Sequence, residues 1–148
     1  MDRALELIQN EADINEKYGV GIRPIISAIN SGDKERLEFV IRNGADLDID
    51  DGQPLYQAID IAIDGMIQDE LPKPSDESMK IIQILLDSGA DLEIMNEKGK
   101  RPIDIIPLYA HNDRTFELLK SFFRPLIPDI DKLIKRNESD ERYSALRK

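Results

Sequence analysis

Residues 23–48, RPIISAINSGDKERLEFVIRNGADLD, contain the pattern that decides the fold. Two apolar stripes at helical spacing are present: Ile25, Ala28 and Ile29 in the first half, and Leu37, Val40 and Ile41 in the second. Pro24 suits the first turn of a helix, where a backbone N–H has no helical acceptor. Gly44 stands where the chain leaves the second stripe, a position that often needs a positive φ. The stretch therefore predicts two short helices joined by a tight turn.

The same markers recur along the chain. An Ala-Asp pair occupies the second and third positions of the segments EADIN, GADLD and GADLE at residues 11–15, 44–48 and 89–93, and a Pro-aliphatic pair begins at Pro24, Pro54 and Pro102. The first two Ala-Asp pairs are 33 residues apart, and the next two are 45 apart. The second unit therefore carries about 15 extra residues, although its entry from Ala45 to Pro54 is three residues shorter than the other two. Recurrence of this kind is typical of repeat proteins, whose units stack because none can bury both faces alone.

This pattern resembles the ankyrin repeat, a β-turn followed by two helices in about 33 residues, over roughly residues 1–124. The resemblance implies an all-α, ankyrin-repeat solenoid of stacked helix-turn-helix units with short hairpin loops. It divides the domain (1–136) into an N-terminal cap (1–15, with its helix over 2–10), repeats at 16–48, 49–93 and 94–124, and a C-terminal cap at 125–136. The second repeat holds an insertion at about 66–77, and a charged tail occupies 137–148.

The chain departs from the family at three kinds of position. The Thr that usually precedes the proline is replaced by Arg23, Gln53 and Arg101, and the His two residues after it by Ile26, Tyr56 and Asp104. The hydrogen bonds by which those residues brace adjacent repeats are therefore expected to be absent. Pro107 is expected to kink the first helix of the last repeat. Asp129 is a suitable N-cap for a short closing helix.

Charge limits the kind of partner. The net charge is −10, and residues 44–97 hold 14 acidic and 2 basic side chains. Such a surface repels phosphate backbones and attracts basic proteins, so we expect a basic protein partner and no nucleic acid. There is no cysteine and no long uncharged apolar run. We therefore expect a cytoplasmic protein, monomeric when free, with no disulfide and no membrane association.

Metal and catalytic alternatives are weaker. Alternating aspartates from Asp46 suggest a calcium loop, but the glycine is one residue late and Gln57 stands where a glutamate ligand is required. His111 is the only histidine, which does not suffice for a usual zinc site, and a helix-end role explains it better. The serines lie in helix or turn contexts, with no nucleophile motif or phosphate-binding glycine loop. We expect no catalytic residue, no metal and no cofactor.

The resemblance places the binding surface on the hairpin tips and the exposed face of each first helix. The candidate residues are Tyr18, Asn30, Ser31, Asp48, Asp50, Asp51, Tyr56, Asp60, Ile61, Asp64, Asp69, Glu70, Glu97, Lys98, Leu108 and Tyr109. Small acidic proteins of this kind look like bacterial immunity proteins (antitoxins), which suggests neutralisation of a basic toxin such as a nuclease. The alternative is a generic adaptor, scaffold or effector that binds another protein.

Overall fold

A computed structural model describes residues 14–17 and 22–134, and the regular structure in these ranges is helical. The helices are α1 (Pro24–Ser31), α2 (Lys34–Arg42), α3 (Ile49–Gln68), α4 (Asp76–Asp87), α5 (Ile105–Tyr109), α6 (Asp113–Phe123) and α7 (Ile130–Leu133), with a 3₁₀ turn at Pro102–Asp104 before α5. The all-α class is thereby confirmed. The predicted cap helix at 2–10, Tyr18 and the charged tail (137–148) lie outside the described residues.

Local sequence explains where the helices begin and end. Asp33 begins α2 by accepting hydrogen bonds from the backbone N–H groups of the second and third helical residues, and Ser75 caps α4 in a similar way. Such side-chain oxygens satisfy N–H groups that have no helical partner. The predicted positive φ at the helix exits is confirmed, at +94° for Gly44 and +104° for Gly89.

The helices pack in pairs, and successive pairs contact each other. Helices α1 and α2 form one pair and α3 and α4 the next, with α1 against α3, α2 against α4, and α3 against α5. The two predicted stripes of residues 23–48 are buried, and apolar residues at the same helical spacing on α4 and α6 complete the shared core. The buried residues are Ile25, Ala28, Ile29, Leu37, Val40, Ile81, Ile82, Leu85, Phe116, Leu119 and Phe123. Ile41 and Leu86, at the margins of their stripes, are half-buried.

Hydrogen bonds between loops fix the register of neighbouring units. The side-chain oxygen of Asn15 accepts from the backbone N–H of Asp46 at 2.7 Å. Asp48 accepts from the N–H of Asp91 at 2.8 Å. Asn15 and Asp48 are the last residues of successive Ala-Asp segments, and Asp46 and Asp91 are the aspartates of the segments that follow. The repeated sequence thus makes the same contact twice, which we call the amide ladder.

The second unit differs from the prediction in both of its irregular parts. The extra residues are shared among helices and loop, since 66–68 continue α3, 69–75 form the loop, and 76–77 begin α4. The shortened entry is a left-handed turn, in which Asp50, Asp51 and Gly52 have φ values of 55°, 58° and 96°. The right-handed helix of α3 starts only after this turn, so Pro54 lies in its first turn, where proline is tolerated.

The first helix of the last unit is interrupted before Pro107, where it is divided into the 3₁₀ turn and α5, because a proline ring crowds the carbonyl four residues before it. Two expectations about caps and braces need correction. Asp129 begins α7 without a side-chain cap. The last unit does have a polar brace, because Arg101 donates to both carboxylate oxygens of Asp104, at 3.2 and 2.8 Å.

Candidate protein-binding surface

The left-handed turn separates the two adjacent aspartates into different roles. Arg23 donates to both carboxylate oxygens of Asp50, at 2.7 and 3.1 Å, and thereby joins α1's entry to the next unit. This guanidinium lowers the pKa of Asp50 from its ordinary value. Asp51 is exposed, and no described cation pairs with it. Asp50 therefore stabilises the turn, while Asp51 keeps its charge available.

Gly52 explains why the turn has this form. An added Cβ at Gly52 would lie 2.6 Å from Cγ of Pro102 and 2.7 Å from Cγ2 of Ile94. Only a residue without a side chain lets the next unit approach this closely, and glycine also accepts a positive φ without penalty. The two aspartates before it also have positive φ, a conformation that costs L-residues energy.

A second group of candidates lies along α3 and at the end of α5. The hydroxyl of Tyr109 donates to Oδ1 of Asp60 at 2.6 Å. Burial raises the pKa of Tyr109, and the carboxylates of Asp60 and Asp64 raise it further. Tyr56 lies close enough to contribute to the raised pKa of Tyr109 as well. We call Tyr56, Asp60, Asp64 and Tyr109 the acid–tyrosine cluster.

Within the acid–tyrosine cluster, one carboxylate has a hydrogen-bond partner and the other is available to a ligand. Asp60 is half-buried and holds Tyr109 in place, which couples α3 to α5. Asp64 is exposed, and among the described residues it has no hydrogen bond or ion pair. A partner can thus reach the carboxylate of Asp64 and the 40%-exposed ring of Tyr56 together.

A groove of about 330 Å³ continues from Tyr56 towards the hairpin at 96–100, which enters the third unit and which we call the third hairpin. Its lining includes acidic Asp51, basic Lys100 and apolar Ile105 and Leu108. Leu108 is 57% exposed, which is unusual for a leucine on a first helix that packs against the core. The groove therefore joins the left-handed turn and the acid–tyrosine cluster into one surface through their shared residue, Tyr56.

The third hairpin is shaped by an asparagine that the sequence analysis did not single out. Oδ1 of Asn96 accepts from the N–H groups of Lys98 and Lys100, at 2.9 and 3.0 Å. Asparagine side chains commonly imitate a backbone turn in this way. Glu97 and Lys98 are exposed at the tip. They carry opposite charges, so the tip adds shape more than net charge.

Other candidates are occupied within the chain. Asn30 accepts from Nε2 of Gln57 at 3.0 Å, which links α1 to α3. The hydroxyl of Ser31 donates to the carbonyl of Ala28 and accepts from the N–H of Asp33. Asp48 belongs to the amide ladder, and Ile61 is half-buried against the core. These groups stabilise the fold in the unbound protein.

The loop after α3 adds apolar surface that the sequence analysis missed. Asp69 and Glu70 are exposed, and Glu70 has a φ of 53°. The N–H of Leu71 bonds to the carbonyl of Met66 at 2.9 Å, which closes a Schellman motif. Ile67 and Leu71 flank the acids and are 51% and 40% exposed. Their apolar character was visible in the sequence, but their exposure depends on how far α3 extends.

Arginines at the unit entries are the other missed residues. Besides Asp104, Arg101 binds Oε1 of Glu93 at 3.0 Å and the carbonyl of Leu133 at 2.8 Å. It therefore joins the third hairpin to α7. The sequence did contain a sign of these interactions. Charged residues stand where ankyrin repeats usually have Thr and His, and half-buried charged side chains need partners.

Comparison with protein families and with characterised proteins finds no match. Within the described ranges, no three histidine, cysteine or carboxylate side chains are grouped to hold a metal ion. No helix in the same ranges has the length and apolar character needed to cross a membrane.

Proposed function

We propose that this protein is a non-catalytic, ankyrin-type binding protein that presents an acidic surface to a basic protein partner. The observation that carries the proposal is the pair of exposed carboxylates, Asp51 and Asp64, on the surface that also exposes Tyr56 and Leu108. Carboxylates beside exposed aromatic and aliphatic side chains suit arginine and lysine, whose long stems pack while their charges pair. The ankyrin-type arrangement is supported by the amide ladder and the paired helices.

The most specific form of the proposal is an immunity protein that neutralises a basic toxin such as a nuclease. An enzyme that degrades nucleic acid needs a basic cleft to bind phosphates. A negative surface can occupy that cleft, and its field raises the rate of association. The concentration of acidic residues in 44–97 supports this assignment, since the rest of the chain is close to neutral.

The test uses matched charge reversals. The test variant is Asp51→Lys with Asp64→Lys, which leaves the carboxylates of Asp50 and Asp60 to their structural contacts. The control is Glu38→Lys with Asp87→Lys, two exposed acids on second helices with the same change in net charge. The three tagged proteins are used to capture partners from cells of the source organism, with identification by mass spectrometry.

We expect a basic partner that the unmodified protein and the control retain and the test variant loses. With the purified partner, the association rate should fall by about tenfold or more in the test variant and decrease as salt increases. Equal capture by the test and control variants would refute the acidic surface as the binding site. A partner with nuclease activity that stays fully active in a saturated complex would favour the adaptor alternative over the inhibitor.

A further inference from the structure

The first helix of the second unit extends past its neighbours. Counted from the entry proline, α1 ends at the eighth residue, Ser31, and α5 ends at the eighth residue, Tyr109. Helix α3 reaches its eighth residue at Ile61 and continues for seven more, to Gln68. This extension is about 10 Å long at the rise of an α-helix. Its inner side packs on the core through Ala62 and Ile63.

The opposite face of α3 has a repeating order of chemical groups. Tyr56, Asp60, Asp64 and Ile67 follow one another at steps of four, four and three residues, which places them along one side of the helix. The two ends of this row are exposed and apolar, with Tyr56 at 40% and Ile67 at 51%, and Leu71 (40%) lies just beyond. The two central positions are carboxylates. We call Tyr56, Asp60, Asp64, Ile67 and Leu71 the α3 ridge.

Charge and spacing together specify what fits the α3 ridge. Asp60 and Asp64 are one helical turn apart, about 6 Å along the axis, and Tyr109 binds only Oδ1 of Asp60, which leaves Oδ2 for a cation. Two cationic side chains one turn apart on another helix have the same spacing. Apolar residues before and after that pair then meet Tyr56 at one end and Ile67 with Leu71 at the other.

A helix is favoured over an extended segment. An extended peptide gains most of its affinity by hydrogen-bonding to the edge of a sheet. The described part of this chain has no strand to supply such an edge. An exposed helical ridge instead packs against the groove of another helix.

We propose that the α3 ridge docks an amphipathic helix of the partner, one that places two basic residues four positions apart between two apolar residues. This inference rests on the proposed binding function and specifies the segment of the partner that the surface takes. It also gives the extension of α3 a role, because without the extra seven residues the second apolar contact and its loop would be missing.

The probe is a displayed library of alanine-based helical peptides with one randomised face, selected on the intact protein. The selected peptides are measured by fluorescence anisotropy against Ile67→Ala and against Leu118→Ala. Leu118 is also 51% exposed but lies on α6, so the control removes the same amount of exposed side chain elsewhere. Circular dichroism of the bound peptide reports whether it is helical.

We expect enrichment of peptides with two arginines or lysines four residues apart, flanked by apolar residues. Ile67→Ala should weaken their binding by roughly tenfold, the order expected for burying one branched aliphatic side chain, and Leu118→Ala should have no effect. The inference is overturned by selection without a basic pair, by no selection at all, by a bound peptide that is not helical, or by equal effects of the two alanine variants.

The natural partner separates this inference from the proposed function. If its binding depends on Asp51 and Asp64 but not on Ile67, the acidic surface is correct and the docked helix is wrong. If its binding depends on none of the three, both proposals fail.

Discussion

The contact between Gly52 and the next unit gives the sharpest prediction about the fold. Gly52→Ala places a Cβ 2.6 Å from Pro102 and 2.7 Å from Ile94, where carbon atoms in ordinary contact are about 3.5–4.0 Å apart. Neither neighbour is the end of a long flexible side chain, and Pro102 is buried. The third hairpin must therefore move by about 1 Å or the left-handed turn must open.

Two other glycines allow the cost to be divided into its causes. Gly44 has a similar φ, +94° against +96°, but an added Cβ there meets nothing within 4 Å. Gly44→Ala therefore measures the energetic cost of the left-handed backbone alone. That cost is about 1–2 kcal/mol, and it is partly offset because alanine restricts the unfolded chain. Gly65 lies within the regular part of α3 in open space. Gly65→Ala should stabilise the protein by up to about 1 kcal/mol through helix propensity.

For Gly52→Ala, overpacking adds about 1–3 kcal/mol to the backbone term, so we expect a total loss of about 3 kcal/mol. Urea unfolding followed by circular dichroism measures all three variants on one scale, provided that the slope of the transition is unchanged. In an Ile94→Ala background, Gly52→Ala should cost less because one of the two clashes is removed. A loss for Gly52→Ala no larger than that for Gly44→Ala would refute the close approach of the two units.

Three further predictions concern single side chains. Glu70→Gly should raise the free energy of unfolding by about 1 kcal/mol, since glycine has no penalty at a φ of 53°; an unchanged urea midpoint would contradict this. Arg101→Lys should destabilise the fold by about 1–2 kcal/mol and increase hydrogen exchange in α7, because lysine cannot bind Asp104, Glu93 and the carbonyl of Leu133 together. Because the folded pKa of Asp50 lies below its usual 3.8, its stabilising contribution is complete above that pH and is lost as pH falls through the folded pKa. Asp50→Asn should therefore be less stable than the unmodified protein near pH 6, by less than about 1 kcal/mol for so exposed a pair, and the difference should shrink as the pH falls below 3.8.

The parts of the fold that sequence reasoning predicted correctly are those set by local chemistry. The buried stripes before Gly44 and Gly89 follow from helical periodicity, and the positive φ values follow from glycine at a helix end. The amide ladder uses the last residue of each Ala-Asp segment, so its register was also implicit in the repeat spacing.

The parts that the sequence did not predict depend on contacts between units. Asp50-Asp51-Gly52 has no strong local preference for three successive left-handed residues, and the turn is stabilised by contacts with other units, namely Arg23 with Asp50 and the approach of Pro102 and Ile94 to Gly52. Arg101 and Asp104 are only three residues apart in sequence, but the other partners of Arg101, Glu93 and Leu133, lie further away along the chain.

The candidate binding surface shows the same division. Composition placed the acids in the second unit correctly, yet it could not separate Asp50 and Asp60, which have partners within the protein, from Asp51 and Asp64, which do not. That difference is a matter of which side chain another unit approaches. The exposure of Ile67 and Leu71 depends on the length of α3, which the insertion at about 66–77 did not determine from sequence alone.

The amide ladder has a consequence for how this chain could lengthen during evolution. Each hydrogen bond of the ladder joins a side-chain oxygen of one unit to a backbone N–H of the next. A duplicated copy of the segment between Asp48 and Asp91 would therefore bring both a new side-chain acceptor and a new backbone donor. Internal duplication would therefore preserve every hydrogen bond of the amide ladder. At the end of the series, Glu93 occupies the acceptor position but pairs with Arg101, so its carboxylate is already engaged. A copy added after the third hairpin would share that carboxylate with Arg101, whereas an internal copy brings its own acceptor, so lengthening from within leaves the existing contacts unchanged.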